Sequence, residues 1–266
     1  IHHVLHVAAT QERSGYYAAY GRTEFLGRAI AEGFAYQGEM MPYRNAPRGG
    51  PSGGLPPTAF VSFIQNHDQV GNRAFGERLN SLAPPEAMRA LASVYLLAPQ
   101  IPMLFMGEEW GATQPFLFFC DFGGKLAEAV RHGRREEFSR FPEVADPESV
   151  AEIPDPSAES TFLASKLDWS RVDAKHLAYY RDLLKTRRDH IQPLLPSIRV
   201  GGEALVEGEQ GVRVIWRAGG RRLILDANLS SSPVEFPSLD LRPFWLCGDA
   251  GATFGPWTVR WGLDPA

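Results

Sequence analysis

The sequence predicts an α/β fold of the parallel sheet or barrel type, followed by a small antiparallel β domain. Two short and almost continuously apolar runs, 59–64 and 101–106, each lead into a polar segment, and amphipathic helical patterns lie before, between and after them. After residue 190 the helical periodicity gives way to short runs that are joined by turn residues. Alternation of strand and helix is typical of a parallel sheet, and the later pattern is typical of antiparallel strands.

Three helices are predicted in the first part of the chain. Residues 24–34 place their apolar side chains on one stripe of a helix. The segment 84–86 (PPE) opens a second helix, since proline is tolerated in a first helical turn, and this helix runs to about Leu97. Asp173 is the predicted N-cap of a third amphipathic helix, which ends near His190. The two apolar runs between these helices suit strands that are covered on both faces.

Two connecting segments differ in composition from the rest. Nine of the sixteen residues in 42–57 are glycine or proline, which predicts a surface loop with neither helix nor strand. Residues 112–170 form a much longer insertion that we expect to be irregular, with phenylalanines at its start and charges in its middle. Loops of this length most often serve a substrate cleft.

The change of pattern divides the chain at about residue 190. We predict that residues 1–190 belong to the α/β part and that residues 191–266 form the antiparallel β domain, whose clearest element is a hairpin around the turn 218–220. Two strand–helix units cannot close a barrel, which needs eight such units and about 250 residues. The chain is therefore expected to be the C-terminal piece of a larger protein.

The composition excludes several classes of function. A net charge of −4, from 27 Lys and Arg against 31 Asp and Glu, gives no electrostatic footprint for nucleic acid or for a membrane surface. No run approaches the roughly 18 apolar residues of a membrane helix. Cys120 and Cys247 lie far apart and fit no disulfide scaffold or metal motif. Free thiols, with no signal-peptide pattern, favour a cytoplasmic location.

The densest group of polar residues is the segment 65–72 (QNHDQVGN), directly after the first predicted strand. Polar side chains at the carboxyl end of a parallel strand face the mouth of a barrel, where barrel enzymes place their active sites. His67 and Asp68 offer a donor and an acceptor that suit neighbouring sugar hydroxyls. The alternative is a polar turn in which Asp68 caps backbone groups, and Asn72 is equally suited to capping the turn that follows.

The segment 60–73 (FVSFIQNHDQVGNR) resembles the seventh-strand region of the α-amylase superfamily, glycoside hydrolase family 13. Three more blocks are similar in the same order. Residues 1–17 resemble the stretch around the sixth strand, 101–111 the eighth-strand region and 167–169 the approach to the last barrel helix. The resemblance implies the C-terminal part of a (β/α)8 barrel, from about strand 6 to helix 8. The β domain, expected to be a small β-sandwich, matches only by position and type.

This resemblance implies a retaining glycoside hydrolase that acts on an α-glucan. In the superfamily, the nucleophilic aspartate and the acid/base glutamate follow the fourth and fifth strands, which the resemblance places before residue 1. Asp68 matches the third acid, which binds the 2- and 3-hydroxyls of the sugar in the −1 subsite and stabilises the transition state. The chain alone is therefore expected to be inactive and to need the N-terminal part of the same protein. Glu108 and Glu109 are expected to orient loops and not to catalyse.

Substrate contacts are also implied by the resemblance. The predicted substrate-binding residues are His67, Gln69, Val70, Gly71, Asn72, His2 and His3. Metal binding by the histidines near residue 1 is the less favoured alternative, because no acidic ligand lies at a matching spacing. We expect neither a metal nor another cofactor, since carboxylates cleave glycosides without them.

Two further hypotheses stay open from the sequence. In the first, the protein is a chain-transferring member of the superfamily, such as a glycogen branching enzyme. In the second, the chain is a non-catalytic carbohydrate-binding fragment. The aromatic residues of 116–122 either shape substrate subsites or cover the barrel mouth, and the sequence does not decide between these roles.

Overall fold

The computed structural model describes residues 1–138 and 146–265. These residues form two compact units. Unit 1 comprises Ile1–Ile64, Ala83–Leu104 and Ala178–Ala266, and unit 2 comprises Gln65–Leu82 and Phe105–Leu177. The predicted domain boundary at residue 190 stays a prediction.

Nine α-helices lie within the described residues. They are α1 (His2–Thr10), α2 (Thr23–Glu32), α3 (His67–Gly71), α4 (Leu79–Leu82), α5 (Pro85–Leu97), α6 (Gly124–Phe138), α7 (Pro147–Glu152), α8 (Glu159–Ala164) and α9 (Ala174–Thr186). The predicted helices correspond to α2, α5 and α9. Asp173 caps α9 as predicted, with its Oδ1 accepting from the backbone N–H groups of Lys175 and His176. None of these helices combines the length and the apolar character that a membrane span requires.

Eleven β-strands also lie within the described residues. They are β1 (Met40–Met41), β2 (Ala46–Pro47), β3 (Val61–Ser62), β4 (Ile101–Pro102), β5 (Glu203–Glu207), β6 (Gly211–Ala218), β7 (Arg221–Asn228), β8 (Val234–Glu235), β9 (Arg242–Cys247), β10 (Thr253–Phe254) and β11 (Thr258–Pro265). All of them belong to unit 1.

Strands β3 and β4 pair in parallel, as the alternation of strand and helix predicts. The backbone N–H of Met103 donates to the carbonyl of Ser62 at 2.9 Å, which extends the pairing by one residue. Both strands are shorter than the apolar runs that contain them. Val61 and Ile101 are exposed, so the expectation that both faces are covered is not met within the described residues.

Five antiparallel strands form the main sheet of the C-terminal region, in the order β5-β6-β7-β11-β9. The predicted hairpin is confirmed as β6 and β7, with Ala218 opposite Arg221 and Gly219 at a φ of 67° in the turn. One face of the sheet carries Trp216 stacked on Trp261, with their ring centroids 5.7 Å apart. Strands β8 and β10 form a separate antiparallel pair.

Two expectations about the connecting segments are wrong. The segment 42–57 contains β2, which pairs with β1 around a 3-10 turn at Pro42–Arg44. Asn45 takes a left-handed φ of 46° in this turn, which lets the chain reverse direction between the two strands. The insertion 112–170 is also not irregular, since it contains α6, α7 and α8. Its residues 139–145 lie outside the described part of the chain.

Candidate functional site

The segment that follows β3 forms the short helix α3, which carries His67 and Asp68 in its first turn. Asn66 is the N-cap, because its side-chain oxygen accepts from the backbone N–H of Gln69 at 3.0 Å. The backbone N–H of Asn72 donates to the carbonyl of Asp68 at 3.0 Å. Asn66 therefore takes the capping role that the alternative hypothesis gave to Asp68.

The predicted site residues on α3 differ in accessibility. The side chains of His67 and Asp68 are 70% and 74% exposed, and His67 Nε2 lies 3.5 Å from Asp68 Oδ1. Asn72 is exposed as well, whereas Gln69 is half-buried. The side chain of Val70 is buried, so it is not available to a ligand. His67 and Asp68 thus form an exposed pair of a donor and an acceptor.

Just before α3, the buried amide of Gln65 links two loops of unit 2. Gln65 donates through Nε2 to Glu108 Oε2 at 3.2 Å, and its Oε1 accepts from the backbone N–H of Leu79 at 3.1 Å. Gln65 and Glu108 are both buried. A buried carboxylate that accepts from a loop amide serves to hold the loops, as expected for Glu108.

Arg78 adds a buried cation to the same region. Its Nε donates to the carbonyl of Gln114 at 2.6 Å, and its Nη1 donates to the carbonyl of Met106 at 2.8 Å. The guanidinium carbon lies 4.9 Å from the centre of the Phe105 ring. Burial lowers the pKa of Arg78, and the negative charge of Glu108 opposes that shift. Arg78 therefore ties both ends of the loop 105–114 to the segment that follows α3.

The aromatic residues at the start of the insertion form a row in unit 2. Phe116 donates its backbone N–H to the carbonyl of Gly76 at 2.9 Å, which attaches the row to the segment after α3. The ring centroids of Phe116 and Phe119 are 5.7 Å apart, and those of Phe119 and Phe162 are 5.3 Å apart. Phe119 and Phe162 are exposed. The row therefore runs from the half-buried Phe116 to exposed aromatic rings.

His2 and His3 lie in unit 1, where α1 borders a cavity of about 390 Å³. Aromatic rings make much of the cavity wall. His2 stacks on Phe63 with ring centroids 4.3 Å apart, and His3 stacks on Tyr20 at 4.7 Å. Arg48 also lines the cavity. His2 and His3, predicted to contact substrate, both lie in the first turn of α1.

Burial determines the charge of these two imidazoles. It lowers the pKa of His2 to about 3 and the pKa of His3 to about 2, so both are neutral at pH 7. His6 stacks on Tyr17 with centroids 4.1 Å apart, and its Nε2 lies 2.8 Å from Glu12 Oε2. Across residues 1–138 and 146–265, no group of three or more His, Cys, Asp or Glu side chains is arranged to hold a metal ion.

The structure thus places the predicted site residues in two groups. His67, Asp68 and Asn72 lie together in and after α3 in unit 2, while His2 and His3 line the cavity of unit 1. Sequence reasoning did not single out Gln65 or Arg78. Gln65 lies in the polar segment 65–72 and Arg78 lies shortly after it. Their closeness in sequence to Asp68 was the only feature of the sequence that could have indicated a role at the site. Their buried contacts are long-range and leave no local pattern.

Comparisons with known proteins agree with this architecture. The family described as "Domain of unknown function (DUF3459)" matches residues 200–262. The malto-oligosyltrehalose trehalohydrolases of Deinococcus radiodurans and Saccharolobus solfataricus are 41% and 39% identical over 84% and 71% of this chain. The chain spans 38% and 32% of the length of these two relatives. A crystal structure from Salmonella typhimurium, described as a candidate α-amylase, is 42% identical with a TM-score of 0.91. It covers 98% of this chain, which in turn covers 45% of that protein.

The similarities confirm the resemblance that the segment 60–73 indicated. Within the α-amylase superfamily, the continuation at 69–73 and 76–79 resembles the maltooligosyltrehalose trehalohydrolases in particular, and the curated relatives carry that name. The fold class is confirmed too. The chain has the C-terminal part of a (β/α)8 barrel, followed by an antiparallel β domain.

Proposed function

We propose that this chain supplies part of the active site of a retaining glycoside hydrolase that releases trehalose from maltooligosyltrehalose. The bond cleaved is the α-1,4 bond next to the terminal trehalose unit. This activity is proposed for the full-length protein, since the chain spans 38% of the relative from Deinococcus radiodurans. One observation carries the proposal: Asp68, in a chain 41% identical to a trehalohydrolase, presents an exposed carboxylate in the helix that follows a parallel strand.

The exposed pair on α3 suits the chemistry of a sugar ring. The Asp68 carboxylate has two oxygens with which to accept hydrogen bonds from two neighbouring hydroxyls. His67, 3.5 Å away, offers a ring N–H to the same sugar. As the glycosidic bond breaks, positive charge develops on the ring, and a fixed carboxylate stabilises that charge more than it stabilises the ground state. Asp68 therefore acts as a transition-state stabiliser.

The covalent steps of this reaction need two more carboxyl groups. A retaining glycosidase uses a nucleophilic carboxylate and an acid/base carboxyl about 5–5.5 Å apart, with water releasing the glycosyl-enzyme intermediate. We assign both groups to the N-terminal part of the full-length protein, which acts as the partner of this chain. Val61 and Ile101, exposed on the parallel strand pair, give that part an apolar surface to cover.

The remaining substrate contacts are proposed for each unit separately. In unit 2, the exposed Asn72 continues the polar surface beyond Asp68, whereas Gly71 is buried and the side-chain amide of Gln69 is buried without a partner among the described residues. In unit 1, the neutral imidazoles of His2 and His3 border an aromatic-lined cavity of about 390 Å³. Uncharged donors and aromatic faces suit an uncharged sugar. Hydrolysis of the α-glucan substrate by carboxyl groups needs neither a metal nor a nucleotide.

We further propose that the protein works in the cytoplasm. The free thiols Cys120 and Cys247 are not joined to each other, and unpaired cysteines persist in a reducing compartment.

The role of Asp68 is tested by Asp68→Asn in the full-length protein, with trehalose release from maltooligosyltrehalose as the assay. Loss of a single electrostatic stabiliser lowers kcat by about 10²–10³-fold. Asp121→Asn, which removes an exposed carboxylate from the same unit, is the matched control and should leave kcat unchanged. Circular dichroism checks that both variants fold. Near-normal turnover by Asp68→Asn would show that the assigned role is wrong.

The products separate this function from the two alternatives. Free trehalose is expected from maltooligosyltrehalose, whereas a branching enzyme would return a transferred chain and no trehalose. The chain on its own is expected to be inert, because it holds only one of the three acids. Hydrolysis by the purified chain in the absence of the N-terminal part would overturn the assignment of the other two acids.

A further inference from the structure

One buried arginine joins the insertion 112–170 to the helix that carries Asp68. Arg134 lies on α6, and its side chain is 8% exposed. Its Nη2 donates to the carbonyls of Gly71 and Arg73, each at 3.2 Å. The last carbonyls of a helix lack partners within the helix. Arg134 thus supplies donors to the C-terminal end of α3 and to the residues just beyond it.

The guanidinium group of Arg134 is held between aromatic rings. Its central carbon lies 4.7 Å from the ring centre of Phe118 and 4.8 Å from that of Phe138. Burial lowers the pKa of Arg134, and the charge of Glu137 opposes that shift. A cation in this position pays a desolvation penalty that its carbonyl partners and ring faces must offset. Its geometry is therefore tightly constrained.

Helix α6 has a second anchor in unit 2, besides the hydrogen bonds of Arg134. Phe138, at the end of α6, is buried in a cluster with Ala74 and Ile153, and Val150 packs against the same cluster. This apolar contact holds the end of the helix in unit 2. Arg134 is thus available for a more specific task than attaching the helix.

We propose that Arg134 is a positioning residue for Asp68, and that the insertion serves the active site through this contact. The proposal rests on the function proposed above. Helix α3 has only five residues, so it depends on contacts at its ends for a fixed position. Gln65 holds the chain before α3 by its bond to Glu108, and Arg134 holds the chain after it. Loss of the second contact lets Asp68 shift relative to the sugar.

The test uses the full-length protein and the variant Arg134→Met. Methionine keeps an apolar side chain between the two rings but removes both hydrogen bonds. A displacement of about 1 Å at a reacting group costs up to about 10²-fold in rate, so kcat is expected to fall by about 10- to 100-fold. KM should change far less than kcat. Lys125→Gln, which removes an exposed positive charge from the same helix, should leave both constants unchanged.

Two measurements separate positioning from general stability. Combined with Asp68→Asn, Arg134→Met should cause little further loss of kcat, because the group it positions is already gone. Added guanidinium ion should restore part of the activity of Arg134→Ala, since the ion can occupy the vacated space. Fully multiplicative losses in the double variant, or no rescue by guanidinium, would overturn the proposal. If Arg134→Met fails to fold, Arg134→Lys takes its place. The loss of kcat that it causes is then compared in the presence and absence of Asp68→Asn.

The outcomes also distinguish this inference from the proposed function. If Asp68→Asn keeps normal turnover, the proposed function fails whatever Arg134 does. If Asp68→Asn is impaired while Arg134→Met has normal kcat, only the positioning role fails.

Discussion

A buried carboxylate in the C-terminal sheet provides a direct test of what holds that sheet together. Asp226 is completely buried between two arginines. Its Oδ1 accepts from Arg213 Nε at 2.5 Å, and its Oδ2 accepts from Arg213 Nη2 at 3.1 Å and from Arg260 Nη2 at 2.6 Å. The rings of Phe236 and Phe254 lie 5.6 and 4.8 Å from the two guanidinium carbons. Asp226→Asn keeps the shape but leaves two cations side by side without a counter-ion.

The burial of the partners sets the size of the effect. Breaking a buried ion pair by removing one partner costs about 3–5 kcal/mol, because the remaining charge stays desolvated. The side chain of Arg213 is 6% exposed and that of Arg260 is 23% exposed, so only Arg260 can regain some contact with water. We therefore expect Asp226→Asn to lower the free energy of unfolding by about 3 kcal/mol, the lower end of that range.

The matched control is an ion pair on the surface of the same sheet. Glu203 accepts from Arg217 at 3.2 Å, but their side chains are 75% and 77% exposed. Glu203→Gln should therefore cost less than about 1 kcal/mol, since water screens an exposed pair. Urea unfolding of the chain, followed by circular dichroism and by tryptophan fluorescence, to which the buried Trp216 and Trp261 of this sheet contribute, measures both variants. The midpoint should fall for Asp226→Asn with an unchanged m value. Equal losses for the two variants would refute the reasoning from burial.

Two further predictions concern the two units separately. In unit 1, His2 and His3 have pKa values lowered to about 3 and about 2, whereas in the unfolded chain histidine takes up a proton near pH 6.5. The urea midpoint should therefore fall as the pH drops from about 6.5 towards 3. The variant His3→Gln should make this dependence of the midpoint on pH less steep. An equally steep dependence in the variant would contradict the prediction. In unit 2, a Cβ on Gly76 would lie 2.6 Å from backbone atoms, so Gly76→Ala should add about 1–3 kcal/mol of crowding to its backbone strain. Gly124→Ala, at a similar φ of 54° with no neighbour within 4 Å, carries the strain alone and should lose measurably less stability in the same titration.

The elements predicted best are those whose signals are local. Helix α5 begins at Pro85, within the predicted starting segment 84–86, and ends at Leu97 as predicted, since its first turn and its apolar stripe both lie within the segment. The hairpin of β6 and β7 follows from its turn, where Gly219 supplies the positive φ. Strand length was predicted less well. The apolar runs 59–64 and 101–106 exceed β3 and β4, because a strand extends only as far as its partners supply hydrogen bonds.

The sequence predicted where the candidate site lies in the chain, but not the contacts that hold its residues in place. The density of polar residues in 65–72 identified Asp68 and its neighbours, and the structure finds the carboxylate exposed. Val70 was included because the resemblance implied substrate contacts for the run 69–72, although its side chain is buried. The loop prediction for 42–57 was wrong because composition reports average flexibility, whereas pairing of β1 with β2 depends on where two particular backbones meet.

The position of Asp68 depends on residues far from it in the chain. A five-residue helix has no stability of its own in water, and its N-cap Asn66 contributes only about 1 kcal/mol. The contacts that hold the segment come from Glu108, which is 43 residues from Gln65, and from Arg134, which is 63 residues from Gly71. The local sequence therefore supplies the carboxylate of the candidate site, while the distant loops supply contacts that fix its position. Transfer of 65–72 alone into another parallel strand pair would carry over the carboxylate without the two contacts that hold it in place.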